Sequence, residues 1–318
     1  MPSGSTLVSI IMPTYNCEKY ISQSIKSILN QSYTNWELLI ADDCSTDNTY
    51  SLVNTFRNNP KVKIVRNKKN IKQVVTRNIL LQQAKGELIA FQDADDWSTP
   101  DRIEKQVNEF ENDKALAICG TFALYYDETG IKPLFAKRPS IKDDDIKKNV
   151  LQKNQFCGAS IMIRKEILEQ VGSYREYFSG IGSEDYDLTS RIAERFKAMN
   201  IGEELYCVRL TYESSSRGIL SSHQWISEEI VKEFIKQRRE MGVDYLESDN
   251  LVALKALEAE LLKPYASDPS LQYRKAADHN WYIGNKRNYI KSAYLALTKN
   301  PYEPLNWKYF IHAISRLF

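Results

Sequence analysis

At 318 residues, 42% hydrophobic and 26% charged, the chain can bury a substantial core and is not a disordered or fibrous protein. Its 43 basic and 41 acidic residues leave a formal charge of +2, which excludes a molecule built as a whole around nucleic acid. Five dispersed cysteines, odd in number and without a CxxC pair, argue for reduced thiols in a cytosolic compartment and against a cysteine-rich zinc site.

Residues 1–6 show no secretory signal, and the apolar run at 7–12 is too short to span a bilayer, so it reads as a buried strand. A helical stripe follows at Tyr20, Ile21, Ile25, Ile28 and Leu29. Strands are then expected at 36–41, 62–65 and 87–91, alternating with helices at about 47–56 and 73–83. This order predicts a mostly parallel α/β sheet covered by helices. Thr99-Pro100 reads as a helix start, with Ile103, Val107 and Phe110 on one face. Further strands are expected at 116–126, 160–163 and 205–210, with a helix at 184–196 and a polar stretch at 137–154. A serine-rich connection at 214–222 precedes helical patterns, among them Leu251, Leu254, Leu257 and Leu261 ahead of Pro264. The predicted division is a catalytic domain at 1–220 and a helical C-terminal region at 221–318.

Chemistry concentrates where the strands end. Gln92-Asp93-Ala94-Asp95-Asp96-Trp97 directly follows a strand, at the edge where open α/β sheets bind ligands. Asp93 and Asp95 offer hard oxygen ligands to a divalent cation that could bridge nucleotide phosphates; a solvated turn is the plain alternative. Asp42-Asp43-Cys44-Ser45 is a second acidic strand exit. There Asp43 could accept from a base imide and Asp42 could orient ribose or backbone, or both could satisfy turn amides. Pro13-Thr14-Tyr15-Asn16 is a third turn, in which Tyr15 could face a nucleobase or pack as core and Asn16 could cap the next helix. Together the three turns point to a nucleotide pocket.

These segments, with Ala84-Lys85-Gly86-Glu87 and Asp93-Ala94-Asp95-Asp96 in the same order, resemble the GT-A glycosyltransferases of family 2 over roughly residues 7–212. The resemblance implies a GT-A sheet with a helical C-terminal extension, and a nucleotide-diphosphate sugar donor, usually UDP-linked. It implies Mn²⁺ or Mg²⁺ held chiefly by Asp95, with Pro13, Tyr15, Asp42, Asp43, Arg77, Asp93 and Ala94 on the donor side. Arg77 would reach the diphosphate; a surface salt bridge is its structural alternative. Family members commonly carry glycine near Lys72 and after the Asp42-Asp43 pair, where this chain has Cys44. The resemblance continues through Phe156-Cys157-Gly158-Ala159-Ser160 and Gly180-Ile181-Gly182-Ser183-Glu184-Asp185. It implies that Asp185 is the general base of an inverting transfer and that Glu184 orients the acceptor or the loop. Acidic residues also suit a helix start without any catalysis.

The expected acceptor is a glycan or lipid-linked oligosaccharide in surface polysaccharide synthesis, with no nucleic-acid partner. A catalytically weak carbohydrate-binding protein and a nucleotidyltransferase are the competing readings. His223, His279 and His312 lie too far apart for a metal motif and read as structural. Trp307, Phe310, Ile311, Ile314, Leu317 and Phe318 form a terminal apolar stripe. It suits peripheral contact with the inner face of the cell membrane, or docking on protein, including a second copy.

Overall fold

The computed structural model describes residues 6–211 and 218–315. The chain divides into two compact units, 1–209 and 210–318. Residues 212–217 of the expected serine-rich connection, and Leu317 and Phe318 of the terminal stripe, lie outside the described residues.

The first unit opens with β1 (Val8–Thr14), α1 (Ile21–Leu29), β2 (Trp36–Asp42), α2 (Thr49–Asn54), β3 (Val62–Arg66), α3 (Gln73–Gln83) and β4 (Leu88–Phe91). It continues through β5 (Trp97–Ser98), α4 (Arg102–Asn112), β6 (Leu116–Tyr126), β7 (Pro133–Lys137), α5 (Asp143–Asn149), β8 (Met162–Arg164), α6 (Lys165–Val171), α7 (Glu184–Arg195) and β9 (Lys197–Arg209). The strands form one sheet in the order β3-β2-β1-β4-β8-β6-β9-β5, with β7 paired to β6. Pairs among β1 to β4 and the long β6–β9 pair are parallel; β4–β8, β6–β8, β6–β7 and β5–β9 are antiparallel. The mostly parallel α/β sheet is therefore present, mixed beyond β4.

β1 and β2 are buried along their whole length, as strands covered on both faces must be. One core joins Ile10, Met12, Leu38 and Ile40 to Ile21, Ile25 and Ile28 of α1 and Ile103, Val107 and Phe110 of α4. The other joins Ile11, Leu39, Ile89 and Phe91 to α3, α6 and α7 through Val74, Leu80, Ile167, Leu188 and Ile192. Gly86 lets β1 and β4 close up, because a Cβ there would lie 2.5 Å from the Ser9 nitrogen and 2.7 Å from the Leu7 oxygen. Glu37, buried beside them, is anchored by the Ser9 hydroxyl at 2.7 Å and the Lys85 amide at 2.8 Å.

Three segments differ in extent or content from the sequence reading. α4 begins at Arg102, not at Pro100, because the Thr99 hydroxyl donates to Asp101 Oδ1 at 2.8 Å instead of capping a free amide. The polar stretch at 137–154 contains α5, whose Ile146 is its buried contact. The strand expected at 205–210 is the second half of β9, which starts at Lys197.

The second unit comprises α8 (Ser222–Met241), α9 (Leu251–Ser267), α10 (Leu271–Tyr282), α11 (Lys286–Lys299) and α12 (Pro304–Ile314). α9 runs through Pro264 instead of ending before it; the exposed proline sits in the last turn, where its missing N–H costs a single bond. His279 lies edge-on to Trp225, and His312 bonds the Tyr289 hydroxyl, both structural roles.

Asp268 ties the helix ends together. It accepts from the Ser270 hydroxyl at 2.6 Å, Arg274 at 2.5 Å and Asn300 at 3.2 Å, and Asn306 of α12 donates to Ser270 at 2.9 Å. Burial pushes its carboxyl up, but these bonds outweigh that and hold it at about 2. A carboxylate lowered in the folded state stabilises fully above its ordinary value and loses that contribution as pH falls toward 2. Asp268→Asn should therefore cost about 2 kcal/mol at pH 7 and roughly half that at pH 3. Urea unfolding of both proteins at the two pH values measures it; an equal difference at both would refute the linkage.

Candidate active site

The three expected turns converge at the C-terminal ends of β1, β2 and β4. The first two are laced together: the Asn16 amide donates to Ser45 Oγ at 3.0 Å, the Thr46 amide to Asn16 Oδ1 at 2.9 Å, and the Glu18 amide to Asp47 Oδ2 at 3.1 Å. Pro13 is buried in β1, whereas Tyr15, just past its end, is 44% exposed and open to a ligand. Asp42 is fully buried; it accepts from the Ser45 amide at 3.2 Å and pairs with Arg66 at 3.1 Å, so it orients the turn backbone.

Asp43 organises the next segment. Its two oxygens accept from Asn67 at 2.8 Å and from the amides of Ile71 at 3.0 Å and Lys72 at 2.9 Å. Those bonds hold Lys72 at φ 75°, ψ 156°, a conformation favoured only by glycine, and so fix where α3 starts. Cys44 has φ 62°. Both positions thus hold a positive φ with a side chain in place.

From α3, Arg77 enters the centre of the site. Its buried guanidinium pairs with Asp93 at 2.8 Å and Glu184 at 3.3 Å and lies over the Tyr174 ring at 5.3 Å, leaving Nε without a partner. Burial would lower its pKa, but the surrounding acids reverse this and it remains charged. One side chain therefore joins the turn after β4 to the start of α7, which lies 107 residues along the chain from Arg77. Arg77 is neither a surface ion pair nor a freely extended cation.

The acidic turn rests on a buried frame. The Asp93 amide donates to the Tyr206 hydroxyl at 3.0 Å, Arg209 Nε to the Asp95 carbonyl at 3.1 Å, and the Arg209 amide to Asp96 Oδ1 at 2.8 Å. Arg102, completely buried, donates to the carbonyls of Phe91 at 2.8 Å and Ala159 at 3.2 Å. Burial brings its pKa down to about 10, still above neutrality. Ala94 is buried in the α1–α4 core. Burial, and after it the Asp95 charge, push the Cys17 thiol up to about 12. Asp96 is driven well above the usual carboxylate range, first by burial and then by the charges of Asp95 and Asp93.

At α7, Ser183 has φ 65° and turns the chain into the helix. Burial raises the Glu184 carboxyl against the pull of Arg77, and Asp185 adds to the rise. Asp185 accepts from Asn154 at 3.2 Å and from the Tyr186 amide at 2.8 Å. Gly158 makes room for it, since a Cβ there would approach Asp185 Oδ2 to 3.3 Å. Sequence reasoning missed Asn154, Tyr174, Arg102, Tyr206 and Arg209. The one available signal was charge within apolar surroundings, as at Arg209 at the end of β9.

The model of "Glycosyl transferase family 2" matches residues 9–172. The chain belongs to glycosyl transferase family 2. EpsE of Bacillus subtilis (strain 168), which carries a glycosyltransferase name, is 38% identical over 205 residues, covering 64% of this chain and 72% of EpsE. WfgD of Escherichia coli, named a UDP-Glc:α-D-GlcNAc-diphosphoundecaprenol β-1,3-glucosyltransferase, is 32% identical over 212 residues, covering 66% and 79%. Among solved structures, S. aureus TarS 1–349 in complex with UDP-GlcNAc shares the fold at TM-score 0.60 and 18% identity, covering 96% of this chain and 88% of TarS. The mannosyltransferase PcManGT from Pyrobaculum calidifontis, with GDP-Man and Mn²⁺, does so at 0.55 and 20%, covering 93% and 87%. Sugar transfer from a nucleotide-activated donor is thus the general activity of this family 2 enzyme.

Proposed function

We propose that the enzyme transfers a monosaccharide from a UDP-sugar, with inversion, to a hydroxyl of a glycan or lipid-linked oligosaccharide in surface polysaccharide synthesis. The observation that carries this reading is the Arg77 bridge, which makes the Asp93 turn and the Asp185 helix start one centre. TarS with UDP-GlcNAc and the UDP-Glc named for WfgD support the choice of nucleotide.

Among the described residues no group of three His, Cys, Asp or Glu forms a protein-only metal cage. A cation shared with a diphosphate needs fewer protein ligands. The Asp96 carboxyl is raised first by burial and then by the charges of Asp95 and Asp93, and a hard divalent ion would relieve that second, repulsive part. Asp95 would hold Mn²⁺ or Mg²⁺, which would neutralise charge on the departing diphosphate. Tyr15 lines the base, and Asp43 shapes the adjoining loop. Asp185 takes the acceptor hydroxyl proton as the oxygen attacks the anomeric carbon, and the bond to the diphosphate breaks on the opposite face. A panel of UDP-sugars with and without Mn²⁺ tests this. Metal-dependent release of UDP is expected; donor binding without turnover would mean a binding protein, and release of inorganic diphosphate a nucleotidyltransferase.

The lipid-linked class draws support from α12. Its Asn306 and Ala313 are buried, whereas Trp307, Ile311 and Ile314 are exposed on one face with Lys308 alongside, and no helix among the described residues is long and apolar enough to cross a membrane. This face would lie on an anionic bilayer at the inner face of the cell membrane. Deleting residues 305–318 should reduce sedimentation with phosphatidylglycerol vesicles while sparing transfer to a soluble acceptor. Unchanged sedimentation would reject the membrane contact, and a shift in oligomeric state would assign the face to a second copy.

A further inference from the structure

Among the described residues, β7 pairs only with β6, from Pro133 opposite Tyr126 to Lys137 opposite Ala123. It continues the edge that β8 serves lower down, at Ile118 and Cys119. Since β8 pairs with β4 in turn, β7 lies past the end of β8 and about 4.8 Å, one strand spacing, from the line of β4. The donor-side turn leaves from that end of β4.

Tyr125 and Phe135 face each other across this pair and stack with centroids 4.6 Å apart and rings 13° from parallel. Tyr125 packs on the core beneath α3 and α7, so the pair stands on the Asp185 side of the sheet. Phe135 remains 41% exposed. A ring held flat by a partner and still open to water is a pre-ordered apolar surface, with a negative π face for C–H groups.

Its relation to Asp185 follows from the residues between. Lys137, two positions along the same strand face, donates to the Phe156 carbonyl at 3.2 Å. Gly158, two residues later, abuts Asp185 Oδ2. The Cys157 thiol between them is raised by burial, lowered by Lys137 and raised by Asp185, so both charges reach one sulfur. The stacked pair is thus joined to the carboxylate through Lys137, Phe156 and Gly158, on the same side of the sheet.

We propose that Phe135, stacked on Tyr125, is a platform for a pyranose ring of the acceptor other than the ring whose hydroxyl faces Asp185. The inference rests on the acceptor side assigned to Asp185 above, and it makes the enzyme sensitive to acceptor length. The apolar C–H face of the sugar lies on the phenyl ring, and no bond is made or broken there.

The probes are p-nitrophenyl glycosides of glucose, galactose and N-acetylglucosamine, each as mono- and trisaccharide, with UDP-Glc and UDP-GlcNAc and Mn²⁺. The wild type should prefer trisaccharides. Phe135→Ala should raise trisaccharide KM roughly three- to tenfold, the scale of one stacking contact, with monosaccharide KM and acceptor-free donor hydrolysis unchanged. Phe135→Trp should keep the preference. If Phe135→Ala melts early, Phe135→Leu replaces it, keeping apolar volume without the flat ring. An active wild type without length preference, or an unchanged KM ratio in the variant, overturns the platform alone. A wild type that neither hydrolyses nor transfers from any donor overturns the enzyme reading on which the platform rests.

Discussion

Asp185→Asn is expected to bind UDP-sugar and metal as the wild type does and to transfer sugar about 10² to 10⁴-fold more slowly, the usual worth of general-base assistance. That range corresponds to about 3 to 5 kcal/mol of transition-state stabilisation. The substitution keeps size and removes the proton acceptor. It also has a structural side. Both Asp185 oxygens accept, from the Tyr186 amide and from Asn154, and Asn154 cannot simply flip, because its own oxygen accepts from the Phe156 amide at 3.0 Å and from Thr189 at 3.2 Å. An asparagine therefore loses one of the two bonds, at about 1 to 3 kcal/mol of stability. Thermal unfolding, donor affinity and single-turnover transfer under saturating acceptor separate the two effects. Near-normal transfer would eliminate Asp185 as the base. Glu184→Gln should differ in kind: it weakens the pair with buried Arg77, so stability falls while more of the transfer rate survives.

Asp95→Ala should cut turnover by at least about 10²-fold, the order expected when one charge-stabilising group is removed, and abolish the Mn²⁺-dependent part of UDP binding. The fold should tolerate it. The Asp95 backbone is held by Arg209, and its neighbours by Tyr206 and the Arg209 amide, none of which uses the Asp95 carboxylate. Titration calorimetry with UDP, with and without Mn²⁺, gives the readout, and circular dichroism should stay native-like. Metal-dependent binding that survives the substitution would remove Asp95 from the ligand set.

Sequence alone determined the alternation of strands and helices in the first hundred residues, and for a physical reason: strands buried on both faces read as continuous apolar runs, as in Ile10-Ile11-Met12 and Leu38-Leu39-Ile40. The helix at Gln73–Gln83 and the strand at Leu116–Tyr126 were legible to the residue. It also located the acidic turns, because a turn after a buried strand can only open at the sheet edge. Tertiary structure decided what the turns do to each other. That Asp43 spends its oxygens on Ile71 and Lys72, that Arg77 is buried between Asp93 and Glu184, and that Tyr206 and Arg209 carry the acidic turn are contacts across 16 to 114 residues. Local periodicity has no reach over such separations. The positive φ at Cys44 and Lys72 belongs to the same class: their side chains argue against that backbone, and only bonds made elsewhere in the fold impose it.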